Sequence, residues 1–168
     1  MDATGQSEPT PTKHRTTVER KSDRELVVTR TFNAPPRIVF EAWTTLELFK
    51  RWWVPKSVGL TVLSFEADIR TGGTYRLVFA HSGSEMAFYG KYLEVTPHSR
   101  IVWTNEEGGV DRESITTVTF EERAGKTLQV LHELHPSKES LDASGAEDGM
   151  PESFDQLEEL VAASAGRS

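Results

Sequence analysis

Residues 30–55, RTFNAPPRIVFEAWTTLELFKRWWVP, restrict the fold more than any other run in the chain. The run ends a β-branched, extended segment at Phe32, makes two short helices and deposits two adjacent tryptophans. Pro35 and Pro36 can open a helix, because the first helical turn needs no amide donors there. Val39, Phe40 and Trp43 then recur on one side of that helix. Thr44 with Glu47 three residues on forms a capping-box pattern, so the spacing predicts a second helix that carries Leu48, Phe49 and Trp52 on its apolar side and stops at Pro55. A strand followed by two short helices, with no room for a crossover, implies a helical corner plugging one end of a curved sheet.

The rest of the chain supplies that sheet. Residues 24–32 alternate and are β-branched, which predicts a first strand. After a loop at 54–60, short alternating segments at 61–69, 75–80, 86–95, 100–105, 114–121 and 127–134 are separated by turn signals: Gly72-Gly73, Ser82-Gly83, Pro97, Gly108-Gly109 and Ala124-Gly125. Seven strands result, in the pattern of an antiparallel meander rather than βαβ units. Pro151 then reads as a first helical residue, and Phe154, Leu157, Leu160 and Val161 form a stripe at helical spacing. Such a helix must bury its stripe on the concave side of the sheet. One further helical turn is predicted around residues 139–143. Residues 1–22 read as a disordered tail, residues 23–165 as one domain, and residues 166–168 as a short C-terminal tail.

Composition narrows the function. A chain of 168 residues with 36% apolar residues suits a single core. No run approaches the roughly 18 apolar residues of a membrane span, and the N-terminus lacks an apolar signal core, so a cytoplasmic protein without membrane insertion is expected. The absence of cysteine excludes disulfides, thiolate metal sites and cysteine nucleophiles. Residues 139–168 hold eight acids against one base, Arg167, a balance of −7 that equals the net charge of the whole chain. With no basic stripe, nucleic acid is not an expected partner. The acidic run reads as a solvated helix face or, alternatively, as a docking face for a basic partner.

Three stretches in order carry a family resemblance: the run at 30–55, GKYLEVTPHSRIVWT at 90–104, and GMPESFDQLEEL at 149–160. Together they resemble homologues of the C-terminal domain of the heat-shock protein 90 ATPase activator, within the START-like (SRPBCC) helix-grip superfamily. The resemblance spans residues 24–163. It implies an α+β helix-grip fold, like that of birch pollen allergen: a curved seven-stranded antiparallel sheet, two short helices after the first strand, and a long C-terminal helix across the concave face. The last motif departs from the family's pattern at Ser153 and Phe154, where a glycine and a tryptophan are common, and at Pro151.

The helix-grip fold, as the resemblance implies, encloses a cavity between helix and sheet. Residues assigned to its lining are Trp52 and Trp53 at the corner, Tyr75, Phe79, Phe88, Tyr92, Trp103 and His132 on strands, and Phe154 and Leu157 on the helix. The alternative is that the same rings pack a closed core. His132 is placed inward beside Val130 and Leu134, either as a cavity group or as a hydrogen-bonded core histidine. His132 and His135 point to opposite strand faces, so no shared metal is expected. Arg30, a lone charge between Val28 and Phe32, reads first as the partner of an acid at the sheet surface and second as an anchor for a ligand carboxylate. No G-x-S-x-G elbow or phosphate loop occurs, and no cofactor is called for.

The function these features imply is binding of a small hydrophobic ligand, a lipid, sterol, flavonoid or polyketide-like molecule, with no chemistry. The alternatives are a chaperone-associated interaction protein, in keeping with a stress-response family, and a polyketide cyclase or dehydratase in which His132 or Tyr92 moves a proton. A monomer or weak dimer is expected.

Overall fold

The computed structural model describes residues 16–106 and 113–165. The expected turn at Gly108-Gly109, residues 1–15 of the expected tail, and residues 166–168 lie outside the described residues. One antiparallel sheet contains β1 (Thr16–Ser22), β2 (Glu25–Phe32), β3 (Thr61–Ala67), β4 (Thr74–His81), β5 (Ser84–Thr96), β6 (Arg100–Asn105), β7 (Ser114–Arg123) and β8 (Lys126–Leu134). Their order is β1-β2-β8-β7-β6-β5-β4-β3. Helices α1 (Pro36–Thr44) and α2 (Leu46–Trp52) lie between β2 and β3, and α3 (Lys138–Ser144) and α4 (Ala146–Ala165) follow β8. This is the helix-grip architecture. The sheet curls so far that its two edges meet different helices: α4 packs on β1 and β2, whereas α2 reaches β3 through Phe49 and Phe65, whose rings are 5.3 Å apart.

The sheet has eight strands rather than the expected seven, because residues 16–22 pair with β2 from Thr16↔Arg30 to Ser22↔Glu25. The segment TTVERKS has one branched aliphatic residue and reads as polar chain, but an edge strand is half solvated and is commonly blunted by charge. Between β7 and β8, Ala124 and Gly125 both adopt positive φ, 55° and 82°, giving the two-residue turn whose twist suits a hairpin.

Pro36 opens α1, and Val39, Phe40 and Trp43 are buried. The capping box predicted from Thr44 does not form. Thr44 ends α1 and donates its hydroxyl back to the Phe40 carbonyl at 2.9 Å, leaving Thr45 at the start of α2 without a side-chain cap. The other end of α2 is closed by α4. Ser153 Oγ donates to the Trp53 carbonyl at 2.7 Å, and Gln156 Nε2 donates to the carbonyls of Trp52 and Val54 at 2.9 Å. Carbonyls orphaned at a helix end thereby gain partners away from water. Ser153, one of the departures from the family pattern, thus ties α4 to the corner.

The long helix begins at Ala146, not at Pro151, which lies inside it. Gly145 ends α3 in the left-handed conformation at φ 73°, and α4 starts at once, so that Met150 reaches the core a turn before the apolar stripe begins. The stripe is otherwise as expected: Phe154, Leu157 and Val161 are fully buried. Trp43 sits at the centre of this packing, against Trp52 at 4.7 Å, Trp103 at 5.6 Å and Phe154 at 6.3 Å between rings, with its indole N–H on Gln129 Oε1 at 2.8 Å.

The acidic run is largely spent inside the fold. Arg20 of β1 bridges Asp142 of α3 and Glu147 of α4, both at 2.7 Å, while Asp155 and Glu158 hold Arg30. Glu147 is held below the usual carboxylate range by its hydrogen bond from Arg20, and Asp142 by hydrogen bonds from Lys138 and then Arg20. Carboxylates with depressed folded values contribute stability that is present above their unfolded value, about 4, and lost as pH falls through the folded value. Arg20→Gln is therefore expected to lower the urea midpoint at pH 7 and to converge with the wild type in acid. A deficit of equal size at pH 7 and pH 2.5 would show that the bridge contributes no linked stability.

Candidate functional site

Between the helical corner, the α3–α4 junction and the inner face of the sheet lies a cavity of about 620 Å³. Sheet register builds its floor. Tyr75, Leu77 and Phe79 of β4 share the inward parity, as do Met86, Phe88 and Tyr92 of β5. Across the next strands the pairings Tyr92↔Trp103, Trp103↔Thr116 and Thr116↔Glu133 make one row that reaches Glu133 on β8. Phe49 and Trp53 close the corner, and Ala143, Gly145 and Met150 form the helical wall.

Of the residues assigned from sequence, Trp53, Tyr75, Phe79, Phe88, Tyr92 and Trp103 are brought together around this cavity. Trp52, Phe154 and Leu157 are not: each is fully buried behind the wall. Trp52 turns away because its indole N–H donates to the Ala42 carbonyl at 2.9 Å, and Phe154 packs edge-on against Phe32 at 6.1 Å. His132 lies on the outer face of the sheet, a third exposed, with Nε2 3.0 Å from Glu25 Oε2. That hydrogen bond is the leading cause of a Glu25 carboxyl held below its usual range. The inward residues of β8 are Thr127, Gln129, Leu131 and Glu133, the opposite parity from the one expected.

Sequence reasoning missed the polar end of the cavity. Glu133 and His135 are both buried; Glu133 Oε1 is 2.9 Å from His135 Nε2, and His135 Nδ1 is 2.9 Å from Ser140 Oγ in the first turn of α3. A backbone bond from His135 N to Arg24 O at 2.8 Å extends the pairing with the strand β2 past Leu134 and keeps His135 in the inward phase. Its signal was available: a two-residue turn at 124–125 pairs Arg123 with Lys126, hence Val118 with Leu131 and Thr116 with Glu133, and the apolar Val118 and Phe120 mark the inner face. Nearby, the Tyr75 hydroxyl donates to the Thr104 carbonyl at 2.6 Å and contacts Asn105 Oδ1, while Asn105 Nδ2 donates to Ser114 Oγ at 3.3 Å. Burial pushes the Tyr92 hydroxyl well above the usual phenol value, so it stays protonated. Among the described residues no group of three or more histidine or acidic side chains is arranged to hold a metal ion, and no helix is long and apolar enough to cross a membrane.

Arg30 is buried under α4, not at the sheet surface. Its Nη1 lies 2.7 Å from Asp155 Oδ1 and donates to Thr16 Oγ1 at 3.0 Å, its Nη2 lies 3.4 Å from Glu158 Oε1, and its guanidinium stands 5.3 Å from the Phe32 ring centre. It pairs with acids, as the first reading held.

The fold has counterparts among solved structures. The chain is similar to protein NE0264 from Nitrosomonas europaea at 22% identity and TM-score 0.75, over 88% of this chain and 99% of that one. A Rhodobacter sphaeroides protein is similar at 20% identity and TM-score 0.76, over 88% and 98%. A Staphylococcus epidermidis protein is 28% identical with TM-score 0.69, over 88% of this chain and 94% of that one. A search of the curated proteins returns no match. The family model described as "Activator of Hsp90 ATPase homolog 1-like protein" matches residues 33–162, more than half of the chain and every element that walls the cavity. On that match the chain belongs to the Activator of Hsp90 ATPase homolog 1-like family.

Proposed function

We propose that the protein binds a small hydrophobic ligand in the cavity between the sheet and the α3–α4 segment, as a carrier or sensor. The observation that carries this reading is the cavity itself: about 620 Å³, walled mostly by aromatic and aliphatic groups with a few polar atoms at one end. Small-molecule sites have this size and make-up, some 300–1,000 Å³ with few polar groups that fix orientation. A ring-lined wall with polar tips suits compact, ring-built molecules such as flavonoids, sterols and polyketide-like aromatics. Titrating the nitrogen-15 labelled protein with a panel of these is expected to give saturable amide shifts at Tyr75, Tyr92, Trp103 and Met150, on opposite walls. Silence across the panel would indicate a cavity that admits no such guest.

The Glu133–His135–Ser140 arrangement favours a second reading, a cyclase or dehydratase in which His135 moves a proton, in the place first given to His132. Turnover of a bound polyketide-like substrate, lost in His135→Gln with binding retained, distinguishes it from a carrier. A chaperone partner is supported by the family's description, whereas much of the acidic surface that would meet a basic partner is engaged within the fold.

A further inference from the structure

The cavity holds an acid but no permanently charged cation. Among the described residues that line it there is no lysine or arginine, and the side chains able to carry charge at neutral pH are Glu133 and His135. Both nitrogens of His135 are already committed, Nε2 to Glu133 and Nδ1 to Ser140. An ionised carboxylate accepts only, so Nε2 carries a hydrogen towards Glu133 Oε1, and the ring has no donor left to offer a guest. Glu133 has one oxygen to spare: Oε1 is the one bonded to His135, which leaves Oε2 for a guest. The next residue in its cross-strand row, Thr116, is fully buried, and its hydroxyl lacks a partner among the described residues. One and two places further along, Trp103 and Tyr92 present rings to the same space.

These groups discriminate between polar heads. A guest carboxylate would bring a second negative charge into a buried space where Glu133 already stands and no lysine or arginine lines the wall, which is costly. Aromatic faces, negative at their centres, would not offset it. Arg30, the cation once considered for that task, is occupied under α4 by Asp155 and Glu158. An ammonium group, by contrast, would donate to Glu133 Oε2 in a charge-assisted bond while the apolar body it carries lies among the rings of Trp103 and Tyr92.

Resting on the reading of the cavity as a ligand site, we infer that its ligand is a hydrophobic amine, with the apolar body among the rings of β4–β6 and the ammonium at Glu133, and that fatty-acid carboxylates are rejected. The preference belongs to one residue and is separable from general hydrophobic binding. It also separates from the long-range attraction of a chain of net charge −7 for any cation, which removal of a single acid would barely change.

The test uses the full chain and matched probes below their micelle concentrations: dodecylammonium, dodecanol and dodecanoate, with 2-(1-naphthyl)ethylammonium and 1-naphthylacetate as a compact aromatic pair. Binding is read from the fluorescence of the wall tryptophans and from amide shifts. In the wild type each ammonium is expected to bind about tenfold or more tighter than its carboxylate, with dodecanol between. Glu133→Gln is expected to weaken the ammonium probes about tenfold and leave dodecanol unchanged, and Glu122→Gln, which removes an exposed acid of β7 outside the cavity, to keep the preference. A unchanged urea midpoint in each variant establishes that its fold is intact. Carboxylates that bind as tightly as the amines, or a preference that survives Glu133→Gln, would overturn the inference while leaving a hydrophobic ligand site standing. Failure of all five probes, dodecanol included, would overturn the ligand site and this inference with it.

Discussion

Gly90→Ala is expected to cost more than about 3 kcal/mol and to spoil the cavity floor as it does so. A Cβ at this position would lie 1.9 Å from the Thr104 carbonyl oxygen and 2.9 Å from the Thr104 hydroxyl. A rotamer change cannot relieve a clash with backbone, so β5 and β6 would have to part. They are held together there by two bonds of irregular kind: Lys91 N donates to Thr104 Oγ1 at 3.0 Å, and Glu106 N donates to the Tyr89 carbonyl at 2.8 Å. Just beyond, the register slips between Tyr92, which stands opposite Trp103, and Glu94. Gly72 is the control. Its φ is 90° and nothing stands within 4 Å of a Cβ built on it, so Gly72→Ala meets only the backbone penalty of a left-handed residue, about 1 kcal/mol. Urea unfolding of both variants checks the contrast; equal losses would mean that the strands yield easily at Gly90.

Much of this fold was legible because turns and alternation are local. Tyr75 with Phe79 and Met86 with Phe88 and Tyr92 share faces for the reason that strands alternate, and Pro36 opens a helix for the reason that its first turn needs no donors. The failures have a common physical form. The inward face of β8 was assigned by the apolarity of Val130 and Leu134, yet parity in a sheet is fixed by register with neighbours. The hairpin at Ala124 and Gly125 imposes a register that turns Gln129 and Glu133 inward, against the hydropathy of the strand. β1 went unrecognised because an edge strand with charged residues resembles free chain. The start of α4 was set at Pro151 because proline is most at home in a first turn, whereas burial of Met150 extends the helix backwards past it.

The candidate site divides the same way. Aromatic residues on alternating strands were found, but whether a ring faces a cavity or a core depends on the third dimension. Trp52 and Trp53 are adjacent in sequence and differ in role because one indole N–H is captured by the Ala42 carbonyl and the other ring stacks on Phe49 at 5.0 Å in the cavity wall. The polar end needed three separate segments, β7 for Ser114, β8 and its extension for Glu133 and His135, and α3 for Ser140. No single stretch carries that constellation.

The pairing of Arg30 with α4 leads to an asymmetric result. The guanidinium is 2% exposed, whereas Asp155 and Glu158 are 29% and 25% exposed. Removing the acids, as Asp155→Ala with Glu158→Ala, takes both acidic partners from a buried cation, and is expected to cost about 3–5 kcal/mol. Removing the cation instead, as Arg30→Met, puts an apolar chain of similar reach between Val28 and Phe32 and lets the two acids turn to solvent, a change expected to cost at most about 1 kcal/mol. Part of the Arg30 desolvation is unrecovered even in the wild type, since Nε has no hydrogen-bond partner among the described residues. Urea midpoints of the two variants decide the matter. If Arg30→Met proves the more damaging, the ion pair supplies net stability to the seat of α4, and the grip of that helix on β2 is electrostatic. The burial on each side of the pair predicts the reverse, with Phe154, Leu157 and Val161 holding the helix and Arg30 fixing the angle at which it crosses the sheet.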